Sequence, residues 1–489
     1  MGVHNGAIVG TFLVYMAVVL LLGFVAWRRT QTLKDYILGG RSLKPFVTAL
    51  SAQASDMSGW LLMGLPGLAY AAGLEAGWMV LGLLAGTWLN WKLVAGRLRE
   101  RTEALDDSLT LPDYFERRFG DRTRMLRLLA AAFILVFFVL YTSSGFVAAG
   151  KLFEALFGID YGWAVFWGAA SVLVYTFFGG FLAVSWADVL QGSLMFVALV
   201  LVAALGWFAL GGPGGIAESL NSLNPDLLDP FVDAGTGEAL GLIGIASLVG
   251  WGLGYFGQPH ILARFMAAQA AGSIPAARRI AMTWQTVVLI AALVVGLTGI
   301  AVLERPLQGA DVEKVFIFMA VDRFPGVLAG ICLSGILAAV MSTAAAQLLV
   351  ASSAFAEDFY KGIVRKDARR GELLWAGRLA VLAVAALAFV LGLDPDSRVL
   401  ALVAWAWAGF GATFGPAVLL SLYWNGMTRN GALAGMVAGG VTVIVWPLAR
   451  DMGGIFELYE LVPGFALSLV AIIAVSGLAR DEAEPDAPA

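Results

Sequence analysis

Cysteine, histidine and charge are what this chain has least of. A single cysteine, Cys332, in 489 residues excludes any intramolecular disulfide. It sits in the apolar run GICLSGIL, where inert packing is the expected role. Two histidines and one cysteine cannot assemble a usual zinc site. His4 falls at the N-terminus, and His260, in QPHILAR, reads as a loop or packing residue near the inner boundary. The HExxH, GxSxG and Walker A patterns are missing, which removes support for familiar membrane hydrolases and for ATP-driven transport. No nucleophile–base pair shares an interior region, so no catalytic residues are expected. Charged residues make up 13% of the chain, against about 25% in soluble domains. Basic residues cluster at the ends of apolar runs and not along one face, which argues against nucleic acid as a partner.

What is present is hydrophobic sequence, at 60% of residues, with a mean hydropathy of +0.83. In a lipid bilayer that composition forms one all-α membrane domain. The runs predict thirteen transmembrane helices, at 7–27, 45–71, 75–96, 127–150, 161–182, 187–210, 240–262, 275–303, 323–357, 374–393, 398–423, 431–449 and 457–478. The first lacks a positive leader and a small-residue cleavage site, so it reads as a retained span. An odd number of crossings puts the termini on opposite sides. With the N-terminus outside and the C-terminus cytoplasmic, 25 of the 31 Lys and Arg residues lie inside, the bias that orients membrane proteins.

Two stretches break the apolar pattern. Thr48 to Gly64, TALSAQASDMSGWLLMG, carries Ser51, Gln53, Ser55, Asp56 and Ser58 at membrane depth. An aspartate there costs about 2.5–3.5 kcal/mol on insertion scales, so it must face protein or a water-filled cavity. Gly59, Pro66 and Gly67 weaken the helix around it. The second stretch, ASLVGWGLGYFGQP at 246–259, has four glycines and a proline. Paired broken helices are how secondary transporters expose carbonyls and amides as ligands. Five spans separate the two breaks. Spans 2–6 (45–210) and 7–11 (240–423) therefore form a five-plus-five inverted repeat, with span 1 and spans 12 and 13 peripheral.

An alkali-cation site is expected near Asp56. Carbonyls of Ala54 and Met57 would supply oxygens, with Ser342, Thr343 and the Ala339 carbonyl from span 9. A Ser-Thr pair can also bond back to its own helix. Trp88, Trp91 and Trp163 read as interface aromatics near span ends. Trp251 and Tyr255 flank glycines at mid-depth, and four residues apart on an α-helix they would share a face. They suit a small, partly apolar solute, and Tyr141 with Thr142, Ser143 and Ser144 adds hydroxyls. A substrate carboxylate would meet backbone amides and Ser58 at the first break, aided by a half-helix N-terminus. Asp188 reads equally as a second cation ligand or a capped helix start. Thr110 in TLPDYFERRFGD can cap a short surface helix. The outer loop 211–239 reads as a connector or a lid, and the acidic tail as a short disordered end too small for a signalling domain.

The blocks SAQASDMSGWLLMGLPG, GTWLNWKLVAGRLR, LTLPDYFERRFGD, FFGGFLAVSWADVLQGSLM, GWGLGYFGQPHILARFMAA, ILAAVMST and WAGFGATFGPAVL resemble the solute:sodium symporter family, from about Gly39 to Pro463. The resemblance implies thirteen spans of the leucine-transporter type and uptake of L-proline coupled to Na+ across the bacterial plasma (inner) membrane. It implies sodium ligands at Ala54, Asp56, Met57, Ala339, Ser342 and Thr343. It implies substrate contacts at Ser58, Gly59, Trp60, Tyr141, Trp251, Tyr255 and Pro259. Arg41, in GGRSL, resembles an arginine near the cytoplasmic mouth that affects sodium, and Asp188 an aspartate tied to ion binding. No organic cofactor and no obligatory protein partner follow. A symporter for another small solute, such as pantothenate or a sugar, or a transporter-like membrane sensor, are the rival readings.

Overall fold

The computed structural model describes residues 5–27, 37–178, 180–365 and 367–478. His4 and the acidic tail lie outside them. No strand occurs among the described residues, only two isolated bridges, Leu43 to Ala268 and Val232 to Ala239. Helices dominate because a chain in hydrocarbon must satisfy its own backbone, and a helix does so within one segment.

The helices in order are α1 (Asn5–Trp27), α2 (Pro45–Asp56), α3 (Leu65–Ala72), α4 (Ala76–Leu89), α5 (Gly96–Ala104), α6 (Leu111–Arg118), α7 (Met125–Phe157), α8 (Tyr161–Phe178) and α9 (Phe181–Ala209). Then come α10 (Pro213–Leu223), α11 (Gly241–Gly250), α12 (Pro259–Met266), α13 (Ile274–Val302), α14 (Val315–Arg323) and α15 (Gly326–Ser353). The last four are α16 (Arg370–Leu391), α17 (Val399–Tyr423), α18 (Arg429–Val445) and α19 (Leu461–Leu478). Ten helical runs are long and apolar enough to cross a membrane alone. One of them, Trp60–Ala104, joins the end of span 2 to all of span 3, and spans 5 and 7 carry the apolar runs Tyr161–Val174 and Gly241–Gly257. Counting these, thirteen crossings stand among the described residues, matching the expected number. The depth of burial grades them. The apolar window of α15 is 83% buried and that of α1 only 22%, so α15 runs through the centre and α1 along the rim.

Close approach in the bundle rests on small residues, as membrane interfaces require in the absence of a hydrophobic drive between helices. A Cβ on Gly254 would overlap the Trp407 ring, and one on Gly86 would overlap the backbone of Gly252. The loop between α9 and α11 is folded. Helix α10 packs Ile216 and Leu220 with Leu227 and Leu297, and Trp78 donates to the Pro230 carbonyl at 2.8 Å.

Two expectations about position change. Trp91, read as an interface residue, is 2% exposed and meets Phe265 edge-on at 4.5 Å. The helix there continues through a wide turn at Asn90–Ala95, which carries the indole into the bundle. Asp188 is not a helix start, because α9 begins at Phe181 and places it two turns inside.

Ionic clusters close the end of the bundle where α2 begins. Thr110 caps α6 as expected, accepting from the Asp113 amide at 3.1 Å and donating to Asp358 at 3.1 Å. Arg127, at the start of α7, reaches Asp113 and Glu116 on α6 and Asp358 beyond α15, the last at 2.9 Å. Asp358 is fully buried. Removing the cation from such a cluster costs about 3–5 kcal/mol, whereas apolar replacement of a pair is often neutral. Arg127→Met is expected to melt several degrees lower in detergent, and the double variant with Asp358→Leu to recover part of that loss. Equal melting of all three proteins would show that the cluster contributes nothing.

Candidate functional site

Span 2 breaks where the sequence weakens it. After Asp56 the backbone of Met57 leaves the helical region, at φ −80° and ψ 78°, and regular winding resumes only through a wide turn at Trp60–Gly64. The Asp56 carbonyl loses its helical partner and is satisfied otherwise. It accepts from the Ser58 amide at 3.0 Å, the Trp60 indole at 3.1 Å and the Tyr141 hydroxyl at 3.2 Å. A methyl on Gly59 would lie 2.5 Å from the Ala148 Cβ, so only glycine lets the broken turn seat against α7.

The same turn meets α15. Ser342 Oγ donates to the Ala54 carbonyl at 2.8 Å and lies 3.1 Å from the Ala339 carbonyl, and Thr343 Oγ1 lies 3.2 Å from the Ala54 carbonyl. Four of the oxygens expected to hold a cation are thus gathered across two helices far apart in sequence, and Met57, the fifth expected carbonyl, belongs to the uncoiled turn. These are neutral, hard oxygens, the donor type that suits an alkali cation. The hydroxyls keep lone pairs to offer one.

The Asp56 carboxylate meets the second break. Its Oδ2 accepts from the Tyr255 hydroxyl at 2.9 Å, while Oδ1 is buried and accepts no hydrogen bond among the described residues. The Tyr255 hydroxyl accepts from Gln285 Nε2 at 2.9 Å, and Gln285 Oε1 accepts from Gln53 Nε2 at 2.8 Å. A closed polar chain therefore ties α2 to the second break and to α13. Gln285 escaped the sequence reading, though a lone glutamine in the apolar run MTWQTVVL was a signal for it.

The second break runs as a tight 3-10 segment, Trp251–Gly257, between α11 and α12. Three residues per turn move the residue at i+4 about 120° around the axis, not the roughly 40° of an α-helix. Trp251 and Tyr255 consequently do not share a face. Tyr255 turns to Asp56 and lies edge-on to Trp407 at 4.9 Å, while Trp251 stacks on Tyr459 at 5.3 Å. Trp407 and Tyr459 had no sequence signal. Pro259 opens α12 and lines a slit of about 20 Å³ with Met266, Leu349 and Thr110, which is room for about one water.

His260 follows Pro259. It is fully buried and packs, with Tyr141 and Phe138 around its ring at 5.7 and 5.8 Å. Asp188 accepts from Ser51 at 2.6 Å and from Arg264 at 3.3 Å. All three are buried, and the carboxylate is already matched by a resident cation. Arg264 was also missed, although an arginine inside HILARFM marked it. Arg41 belongs to the ionic closure. Its guanidinium bonds Thr102 at 3.1 Å and the carbonyls of Met266 and Ser108 at 2.6 and 2.9 Å, with Asp107 as its counter-ion. Burial pulls it below the ordinary arginine range, and Asp107 opposes that shift.

Comparison with known proteins supplies context for this geometry. Residues 36–439 match the model of the Sodium:solute symporter family. A sodium/proline symporter of Salmonella typhimurium is 54% identical over 96% of this chain and 93% of its own length. The high-affinity proline transporter PutP of Bacillus subtilis is 49% identical over 94% of this chain and 96% of its own. Among solved structures, a Na+-coupled sialic acid symporter in a substrate-bound outward-open state superposes with a TM-score of 0.78 at 18% identity, over 96% of this chain and 98% of that one. That likeness is one of fold, of the leucine-transporter type.

The polar chain across the breaks makes a prediction about coupling. Tyr255→Phe leaves the Asp56 carboxylate without its donor, at a cost of about 1–3 kcal/mol. Gln285→Leu removes the next link. Because the two share a partner, their effects on thermal stability in detergent should be non-additive by more than about 0.5 kcal/mol. Strict additivity would mean that the chain does not act as a unit.

Proposed function

The chain belongs to the Sodium:solute symporter family, and on that premise we propose that it carries L-proline inward together with sodium by alternating access. One observation carries the reading: hydroxyls of Ser342 and Thr343 converge on the Ala54 carbonyl across the break in span 2.

Sodium binds among the carbonyls of Ala54, Met57 and Ala339 and the hydroxyls of Ser342 and Thr343. The two hydroxyls turn their protons away from Ala54 and Ala339 and give lone pairs to the ion. Asp56 contributes charge from its own position. It attracts the cation through the low-dielectric interior, and it links ion binding to Tyr255 through the 2.9 Å hydrogen bond. Filling the cage straightens the turn at Met57–Gly59 and sets the Ser58 hydroxyl and the neighbouring amides for the proline carboxylate. Ser58, Gly59 and Trp60 thus form one wall of the substrate site. Tyr141 and Tyr255 form the facing wall, Trp251 lies toward the outer side, and Pro259 toward the inner slit.

Every residue of this set is buried, which supports reading the geometry as a closed intermediate of the cycle. Inward release requires α12 to part from α15 along the slit below Pro259, which also strains the Arg41 and Arg127 clusters. The two repeats that move against each other are spans 2–6 and 7–11. The N-terminus lies outside and the C-terminus in the cytoplasm of a bacterial inner membrane, as the distribution of Lys and Arg supports. The energetics suffice. About 100 mV supplies ~2.3 kcal/mol per charge, and a tenfold sodium gradient adds ~1.4 kcal/mol. Together they sustain roughly several-hundredfold accumulation of a zwitterion at one sodium per proline.

The test is uptake of labelled proline into sealed vesicles containing the purified protein, with and without an inward sodium gradient. Uptake should require the gradient, and unlabelled pantothenate or sugar should not compete. Asp56→Asn is expected to raise the sodium concentration for half-maximal uptake about tenfold or more, with membrane insertion intact. Thr343→Ala should do the same to a smaller degree. Sodium-independent uptake, or an unchanged sodium requirement in Asp56→Asn, would overturn the assignment.

A further inference from the structure

A groove of about 530 Å³ opens on the lipid-facing side of the bundle between α2, α9 and α13. It lies within the roughly 300–1,000 Å³ of sites that bury a small ligand. Phe46 and Leu50 of α2, Phe196 and Val197 of α9, and Ile280 and Trp284 of α13 line it. Its two hydroxyls do not make it polar. Ser193 donates to the Val189 carbonyl at 2.7 Å and Thr283 to the Arg279 carbonyl at 3.0 Å, so both are satisfied within their own helices. The walls therefore present hydrocarbon, and Phe46 and Val197 are half exposed along it.

One charge stands at the rim. Arg279 is exposed, lines the groove, and enters no ion pair among the described residues. Arg278 precedes it, and Lys44, also exposed, stands two residues before Phe46 at the start of α2. Helices α2, α9 and α13 all start at this end, as the Ser51–Asp188 and Trp284–Gly192 bonds require. The pattern is an apolar slot within the bilayer beneath a cluster of positive charge at its boundary. We infer that the groove binds an anionic phospholipid, with one acyl chain lying between α2, α9 and α13 and the phosphate held at Arg279.

The position gives the lipid a consequence. Trp284 forms the floor of the groove and donates to the Gly192 carbonyl at 3.2 Å, and its neighbour Gln285 belongs to the polar chain that reaches Asp56. Leu50 lies beside Ser51, the partner of Asp188. A Cβ on Gly192 would stand 3.4 Å from the Ala54 Cβ, so the wall behind the tail touches the residue that carries a cage carbonyl. A tail in this slot braces the first half of span 2 from its lipid side.

The test needs no transport. Delipidated full-length protein is titrated with palmitoyl-oleoyl phosphatidylglycerol and, separately, with phosphatidylcholine of the same tails, and read by native mass spectrometry and by melting temperature. Phosphatidylglycerol should bind as a retained adduct and raise the melting temperature by several degrees more than phosphatidylcholine. Arg279→Gln should weaken the phosphatidylglycerol adduct about fivefold, the effect of one surface charge on an anionic headgroup, and leave the phosphatidylcholine response unchanged. Thr283→Trp, which fills the slot without changing charge, should abolish the adduct, with helical content by circular dichroism as the control for folding. Equal retention of the two lipids, or wild-type binding by either variant, would overturn the assignment.

Discussion

A transmembrane helix that stops hydrogen bonding to itself must find other partners, because hydrocarbon offers none. Everything central in this protein follows from how that demand is met at Met57–Gly59. The Asp56 carbonyl takes three donors, from Ser58, Trp60 and Tyr141, and the Ala54 carbonyl takes two from α15. The substitutes come from spans 2, 4 and 9. The break is stable only while those spans remain in contact, so a local irregularity becomes a long-range constraint. The proposed sodium site rests on the same convergence of Ser342 and Thr343 on the Ala54 carbonyl.

The second break is joined to the first. The chain from Gln53 through Gln285 and Tyr255 to Asp56 contains three hydrogen bonds between 2.8 and 2.9 Å, all buried. Buried polar networks are costly when incomplete and rigid when satisfied. Here the network is complete at every link but one, the unpaired Asp56 Oδ1. A change at either break alters the same carboxylate, so the two broken segments are coupled through one element.

The ends of the molecule are held by different chemistry. Where α2 begins, Arg41 and Arg127 gather carboxylates and carbonyls from segments on both sides of the slit below Pro259. Charge pairs of this kind close a gap firmly, yet solvent can replace their partners once the gap opens. The middle of the bundle has no such recourse, and it relies on glycines, aromatics, matched hydrogen bonds and the buried Asp188–Arg264 pair.

Much of this was legible in the linear chain. The thirteen crossings could be read because transfer into lipid depends on composition over about twenty residues, whatever the neighbours. The two breaks could be read because polar and glycine-rich runs at membrane depth demand a reason. Asp56 stood out as a charge no lipid-facing helix would keep, and Ser342 and Thr343 gained meaning only beside that break, because a Ser-Thr pair can bond back to its own helix. What could not be read was direction. The 3-10 winding that parts Trp251 from Tyr255, the inward turn of Trp91, the Arg264 partner of Asp188 and the place of Gln285 in the polar chain all depend on rotation and crossing angle. Those angles are set by contacts between helices well separated along the chain. The chain by itself determined that a bundle would form and where it would be broken; only tertiary packing decided which oxygens would face one another, because rotation about a helix axis leaves no trace in hydrophobicity.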